Sequence, residues 1–318
     1  MGLLVEGKWR TDWYDTKSTG GRFVRADAKF RGRISGDGSS AHAAEPGRYH
    51  LYVSLACPWA SRTLVFRKLK RLDDVISLSV VDPHMGDEGW LFSNYPGCIP
   101  DTVNGFTHLH EVYTAAKSDF TGRVTVPALW DRDRRTIVNN ESSEIIRMLN
   151  SEFDAFGDAS LDFYPADLRA EIDAVNERVY AHVNNGVYRA GFATTQEAYE
   201  EAWRQLFEEL DALEERLSRH RYLCGDRVTE ADWRLFTTLV RFDAVYYSHF
   251  KCNRQRLVDY RNLWGYTRDL YRTPGVAETV NLDHIKRHYY WSHASINPTR
   301  IVPLGPAIDF TAPDDRGG

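Results

Sequence analysis

The most regular pattern in the chain runs from residue 49 to about 70. Tyr49-His50-Leu51-Tyr52-Val53-Ser54 alternates and is β-prone, and residues 58–70 follow with helical spacing and the basic Arg62, Arg67 and Lys68. A strand therefore runs directly into a helix. Residues 76–81 repeat the strand signal, 124–131 read as a third strand, and 136–138 as a short fourth beyond the turn Asp131-Arg132-Asp133-Arg134. A helix opens next over residues 139–149, with Asn140 as its expected N-cap. The order is β-α-β, then β-β-α. Residues 83–122 are turn-rich and read as an insertion. A proline inside a strand marks an edge or a special bond. Val126-Pro127 is thus a candidate cis peptide, which would turn the Val126 backbone toward a ligand.

From about 165 to 290 the period changes to helical, over 166–183, 195–220, 229–242 and 258–272, the last ending near Pro274-Gly275. Thr229-Glu230-Ala231-Asp232 is a variant capping box, and Val228 and Trp233 stand where a hydrophobic staple would. Residues 1–45 are polar and rich in Gly, Arg, Asp and Ser. They read as a partly ordered extension wrapped over the body, with a loop at Gly36-Asp37-Gly38-Ser39-Ser40. The predicted organisation is an extension (1–45), an α/β domain (46–155), an all-helical domain (165–300) and an irregular tail (301–318).

Composition narrows the class. A chain of 318 residues predicts about two domains with an ample core. Hydrophobic content of 42% and charged content of 27% are those of a soluble globular protein, and the nine Trp and seventeen Tyr suggest aromatic-lined surfaces. A net charge of -5 offers no electrostatic reason to expect nucleic acid. No apolar run approaches a membrane span. Cys57, Cys98, Cys224 and Cys252 are widely spaced and form no Cys-x-x-Cys pair, so neither a disulfide framework nor a zinc ribbon is expected, and the compartment is a reducing one. The start lacks a secretory h-region, and Glu6 makes Gly2 a poor myristoylation site. A cytoplasmic location is the expectation. Glycine-rich phosphate loops are absent, so no nucleotide cofactor is indicated.

Cys57 carries the chemistry. It stands where the strand meets the helix, and Pro58 fits the first helical position, where its missing N–H has no partner to lose. Free backbone N–H groups and the positive dipole end at that point favour an anion. A thiol so placed should ionise easily, and the thiolate is the reactive form. A lone cysteine is otherwise a small buried hydrophobe. The sequence shows no clear metal site: His284 and His288 are four apart and His293 and Cys252 are available, but no catalytic carboxylate accompanies them.

These pieces together resemble the glutathione transferases. The carriers are Cys-Pro at the first helix, the Val126-Pro127 hairpin, Glu141-Ser142 opening the next helix, and an all-helical second half. Ser54-Leu55-Ala56-Cys57-Pro58-Trp59-Ala60-Ser61-Arg62 is similar to the Xi class, whose members are glutathionyl-hydroquinone reductases. So are the segments 185–193, 241–253 and 283–290. The resemblance implies a thioredoxin-like N-terminal domain that binds glutathione, followed by the family's all-helical C-terminal substrate domain, and a homodimer.

The resemblance also implies roles. Cys57 is the nucleophile. Trp90, Arg123, Val126, Glu141 and Ser142 form the glutathione site. Glu141 suits the γ-glutamyl ammonium, Ser142 and the helix start its carboxylate, Val126 the cysteinyl backbone, Arg123 a carboxylate, and Trp90 the peptide. Tyr188, Tyr246 and Tyr289 match the tyrosines of the aromatic-substrate pocket, where a ring and an O–H suit a hydroquinone. The neighbouring Tyr247 and Tyr290 compete for the last two roles. Without the resemblance, Glu141 and Ser142 read equally as helix-start residues, Trp90 as core, Arg123 as a surface charge, and the tyrosines as packing. The implied reaction is reductive deglutathionylation through a Cys57–glutathione mixed disulfide, with glutathione as co-substrate and no metal. An Omega-like thioltransferase or dehydroascorbate reductase would use the same cysteine, and a non-enzymatic scaffold would use none of it.

Overall fold

A computed structural model describes residues 2–316. The N-terminal extension contains four short strands, β1 (Leu3–Val5), β2 (Lys8–Arg10), β3 (Ile34–Ser35) and β4 (His42–Ala43). Next come β5 (Tyr49–Val53), α1 (Pro58–Leu69) and β6 (Ser77–Val80). Then α2 (Leu109–Ala116), β7 (Gly122–Arg123), β8 (Ala128–Asp131), β9 (Thr136–Asn139) and α3 (Ser142–Ser151) complete the first half. The main sheet has the order β6-β5-β8-β9; β5 is parallel to β6 and antiparallel to β8. All five residues of β5 are buried, which explains why its alternation is imperfect: both faces are covered. Even His50 is enclosed, held by Ser77 and Ser79 hydroxyls at 2.6 and 2.8 Å, and burial pushes its pKa down to about 4.

The extension is more firmly built than its composition implies. β1 pairs with β2 and with β7, aligning Leu3 with Arg123 and Leu4 with Gly122. The 83–122 segment, read as turns, contains α2, whose N-terminus is closed by His108 and Glu111 in a capping box. The third strand is shorter than expected. Residues 124–127 lie outside it, and the Val126–Pro127 peptide is cis. Asn140 is not the cap of α3. That position belongs to Glu141, whose carboxylate accepts from Ser143 N, while Asn140 turns inward to Phe30 N and Tyr113 Oη.

The second half holds α4 (Arg169–Val179), α5 (Gly186–Gly191), α6 (Gln196–Leu217), α7 (Glu230–Leu239), α8 (Arg261–Tyr271) and α9 (Leu282–Ser292). The periodic stretches at 166–183 and 229–242 are each interrupted near their ends. Wider π-type turns follow at Tyr180–Asn184 and Phe242–Tyr246. The capping box at Thr229 forms as expected, and Asp232 does more than close it. Its buried carboxylate accepts from Thr229 N and Oγ1, from Leu223 N at 2.9 Å and from Tyr266 Oη at 2.9 Å. Among the described residues, no helix is long and apolar enough to cross a membrane.

Asp232→Ala leaves four buried donors without their acceptor. It should lower unfolding stability by about 3 kcal/mol, which chemical denaturation will measure; a change below about 1 kcal/mol would contradict this account of the hub.

Candidate active site

Cys57 is the N-cap residue of α1, with extended backbone (φ -78, ψ 122) and Pro58 as the first helical residue. Its Sγ lies 3.5 Å from Val126 O, so the thiol donates to the carbonyl beside the cis proline. The expectation of an easily ionised thiol is not met. Burial pushes the Cys57 thiol above its ordinary value. The N–H groups of Ala60 and Trp59 and the charges of Arg241 and Arg25 pull the other way and do not prevail. The residue keeps some solvent access at the floor of a cleft, yet protein surrounds the sulfur. Helix-end polarity is a local effect; desolvation comes from the whole fold, and here it is the larger.

On one side of Cys57 lies a polar cleft bordered by Val126, Glu141, Ser142, Arg123, Asp27 and Lys29. Four of the five residues expected to hold glutathione thus stand together. The Glu141 carboxylate accepts from Ser143 N at 3.0 Å and Ser143 Oγ at 2.8 Å. The Ser142 hydroxyl, at the start of α3, accepts from Arg62 Nη1 at 3.4 Å. Arg123 borders the cleft, but its guanidinium is engaged. It donates to the carbonyls of Asp12 (2.5 Å) and Trp13 (2.7 Å) and lies over the Tyr14 ring. Trp90 does not border this cleft; it lines the aromatic cavity, which Val126 also borders, and stacks on His288 with ring centroids 4.7 Å apart.

On the other side is an aromatic cavity bordered by Cys57, Trp59, Trp90, Tyr188, Tyr289 and His288. Tyr289 is its centre. Its hydroxyl lies 2.5 Å from Tyr188 Oη and 2.9 Å from Tyr246 Oη. Tyr246 is fully buried and reaches the cavity through Tyr289 rather than lining it. Of the adjacent pairs, Tyr246 and Tyr289 enter this cluster; Tyr290 turns to Ser248 and to Ala244 O. Burial keeps all three phenols protonated, with Tyr246 pushed up to about 12 and the others higher than usual. Neighbouring His249 and His288 are pushed down by burial to about 4 and about 3, so both are neutral. His288 Nδ1 donates to Pro83 O and His284 Nε2 to Pro96 O, and no group of three or more potential metal ligands occurs among the described residues.

Several site residues escaped the reading of the sequence. Trp59 and Tyr14 border both cavities. Arg62 is 1% exposed and donates to Asn184 Oδ1 at 2.8 Å as well as to Ser142. Arg241, also 1% exposed, donates to the carbonyls of Leu55, Ala56 and Thr237 and to Ser61 Oγ. Arg25 comes from the polar extension, where no pattern distinguishes it. Trp59, Arg62 and Arg241 carried a signal, since all three lie in Xi-like segments, but no role was read for them.

Comparison with known proteins places this arrangement. Residues 56–152 match the N-terminal domain of glutathione S-transferases, and 196–269 match the C-terminal domain. The chain is 57% identical to glutathionyl-hydroquinone reductase PcpF of Sphingobium chlorophenolicum, over 96% of this chain and 97% of that one. It superposes on the glutathione-bound structure of YqjG, a glutathione transferase homologue from Escherichia coli K-12, with TM-score 0.91 and 50% identity, covering 99% of both chains. The Xi-class transferase of Natrialba magadii gives TM-score 0.95 at 52% identity, covering 99% of this chain and 97% of that one. The chain belongs to the glutathione transferase family, and within it to the Xi class that includes the glutathionyl-hydroquinone reductases.

Proposed function

We propose that this protein is an oxidoreductase that uses glutathione to convert glutathionyl-hydroquinones into free hydroquinones. The observation that carries the reading is the meeting, in one aromatic cavity, of a cysteine at a helix start with the hydroxyls of Tyr188 and Tyr289, the latter backed by a hydrogen bond to buried Tyr246. A hydroquinone thioether needs both: a nucleophile for its sulfur, and donors for its oxygen.

The reaction begins with the Cys57 thiolate attacking the glutathionyl sulfur. An S–S bond forms and the carbon–sulfur bond breaks. Expulsion of a bare aryl carbanion is prohibitively hard, so the ring reacts as its keto tautomer, with a proton already on the sulfur-bearing carbon. The bonding pair then flows onto oxygen and leaves a phenolate, which is protonated to the hydroquinone. The phenols of Tyr188 and Tyr289 donate to that oxygen, and Tyr246 orients Tyr289. The sulfurs are oxidised and the ring carbon is reduced. A second glutathione, as thiolate, attacks the mixed disulfide, releasing oxidised glutathione and restoring Cys57. Glu141, Ser142 and Val126 hold the tripeptide, with Arg123 facing a carboxylate and Trp90 the ring side of the thioether.

This reading assigns glutathione binding to 46–155 and the aromatic substrate to 165–300, with residues 1–45 as a roof over both and 301–318 as an irregular tail. We place the enzyme in the cytoplasm as a homodimer that needs no metal; the four unpaired cysteines fit a reducing compartment.

Cys57→Ala should abolish quinol release from glutathionyl-menadiol, and undiminished turnover would remove Cys57 from the mechanism. Incubation of the wild type with oxidised glutathione should add one glutathionyl mass at Cys57, which a mere scaffold would not show. Tyr289→Phe should slow the thioether roughly 100-fold while sparing turnover of a glutathione–cysteamine disulfide; equal slowing would deny Tyr289 a role in the quinol step. That pair of substrates also separates this activity from an Omega-like thioltransferase, which would prefer the disulfide.

The raised thiol sets a pH dependence. Alkylation of free Cys57 by iodoacetamide should rise with pH and reach its midpoint above that of an ordinary thiol. His249 and His288 lose their protons near pH 4 and 3, so neither should add an acid limb to the activity between pH 5 and 8. A midpoint below the ordinary thiol range would show that helix polarity outweighs burial after all.

A further inference from the structure

Arg25 sits on the N-terminal extension and borders both the polar cleft and the aromatic cavity. Its guanidinium carbon lies 4.9 Å from the centre of the Trp59 ring, 4.9 Å from that of Tyr188 and 5.5 Å from that of Phe23. Its Nε donates to Asn185 Oδ1 at 3.2 Å. Among the described residues, neither terminal nitrogen has a hydrogen-bonding partner and no carboxylate pairs with the group. A half-buried guanidinium whose fork no protein group uses has the donors that an anion needs.

The surroundings indicate which anion. The other cations beside the polar cleft, Lys29 and Arg123, do not border the aromatic cavity. That cavity is otherwise lined by aromatic rings and phenols, by the Cys57 thiol, by the uncharged residues 124–126, and by His288 and His293, both held neutral by burial. Arg25 is therefore the one permanent positive charge on its wall among the described residues. The proposed reaction moves one negative charge, from the Cys57 sulfur to the quinol oxygen, inside that wall.

We propose that Arg25 is a further catalytic residue, whose guanidinium receives the phenolate oxygen of the departing hydroquinone beside the tyrosine hydroxyls. The proposal rests on the function given above. No atom is transferred to or from Arg25; its charge is matched to the phenolate that carbon–sulfur cleavage creates, where a low local dielectric makes a fixed charge most effective. The extension is then part of the catalytic apparatus, and a substrate whose thioether carbon lacks a neighbouring ring oxygen gains nothing from it.

The test compares wild type, Arg25→Met and Arg25→Lys on glutathionyl-menadiol and on glutathione–cysteamine disulfide, each with glutathione varied. Arg25→Met keeps the aliphatic stem and removes the charge. It should lower kcat on the thioether roughly 100-fold, leave KM for glutathione unchanged, and affect the disulfide far less. Arg25→Lys should recover part of the thioether rate. Full thioether activity in Arg25→Met would overturn the proposal. So would equal slowing of both substrates, which would mean that Arg25 serves the thiol alone. A raised KM for glutathione with kcat intact would assign the fork to a glutathione carboxylate instead. Should Arg25→Met fail to fold, Arg25→Lys decides: a thioether-selective loss supports the proposal and an unselective one overturns it. A wild type that releases no quinol would sink the functional reading, and this proposal with it, by a result that the variants cannot imitate.

Discussion

One buried guanidinium ties the helical half of this protein to the segment that carries Cys57. Arg241, just past the end of α7, donates to the carbonyls of Leu55 and Ala56, just before Cys57, and to Ser61 Oγ within α1. A fourth bond, to Thr237 O at 2.7 Å, fixes the same side chain to its own helix. Among the described residues no carboxylate neutralises it. A desolvated charge is tolerable only when its donors are all directed at acceptors, and here two of those acceptors are the backbone carbonyls just before Cys57. The location of the sulfur is therefore set from the helical half, although the cysteine belongs to the other. Arg62 makes the reciprocal link: it starts in α1 and reaches Asn184 in the helical half while touching Ser142 at the start of α3.

Both links end beside a π-type turn. Tyr180–Asn184 delivers the Asn184 amide to Arg62 and leads into α5, which carries Tyr188. Phe242–Tyr246 follows Arg241 and ends on Tyr246. An inserted residue widens the turn and rotates everything after it relative to the helix before. A regular helix would keep Tyr246 in phase with the apolar face of α7. The π-turn instead aims its hydroxyl at Tyr289 on α9. The tyrosine cluster is thus made from three segments far apart in the chain, joined by their hydroxyls and by ring contacts.

That construction explains what could be read in advance. The β5–α1 junction, the helix opening at 141–142 and the Thr229 capping box are local, and each depends on a few adjacent residues whose chemistry is visible. Glu141 displaced Asn140 as the cap because the competing amide has a better use, satisfying Phe30 N and the Tyr113 hydroxyl in the interior. The order of the extension was hidden because its partners, Gly122 and Arg123, lie more than a hundred residues away. The π-turns leave no periodic trace: one extra residue shifts the phase without changing the composition. Trp59 and Arg62 stand in the visible Cys-Pro segment, yet their roles, like that of Arg25, arise from what folds against them.

The ionisation of Cys57 shows the same division between local and global forces. Seen along the chain, the helix start argues for an anion. Seen in space, the aromatic cavity and the packed cores on both sides take away the water that an anion needs, and the neutral thiol wins. This outcome has a chemical consequence for the sulfur. Oxidation and alkylation both proceed through the thiolate, so a sulfur kept protonated at rest is shielded from them. Nucleophilicity falls as thiol pKa falls, so the thiolate formed once substrate is in place is intrinsically stronger than one made permanently stable by its surroundings. The desolvation that opposes ionisation in the empty site also strengthens the pull of each fixed charge and phenol on the transition state. The enclosure of the sulfur is accordingly compatible with nucleophilic attack, and it confines that attack to ligands that fill the cavity.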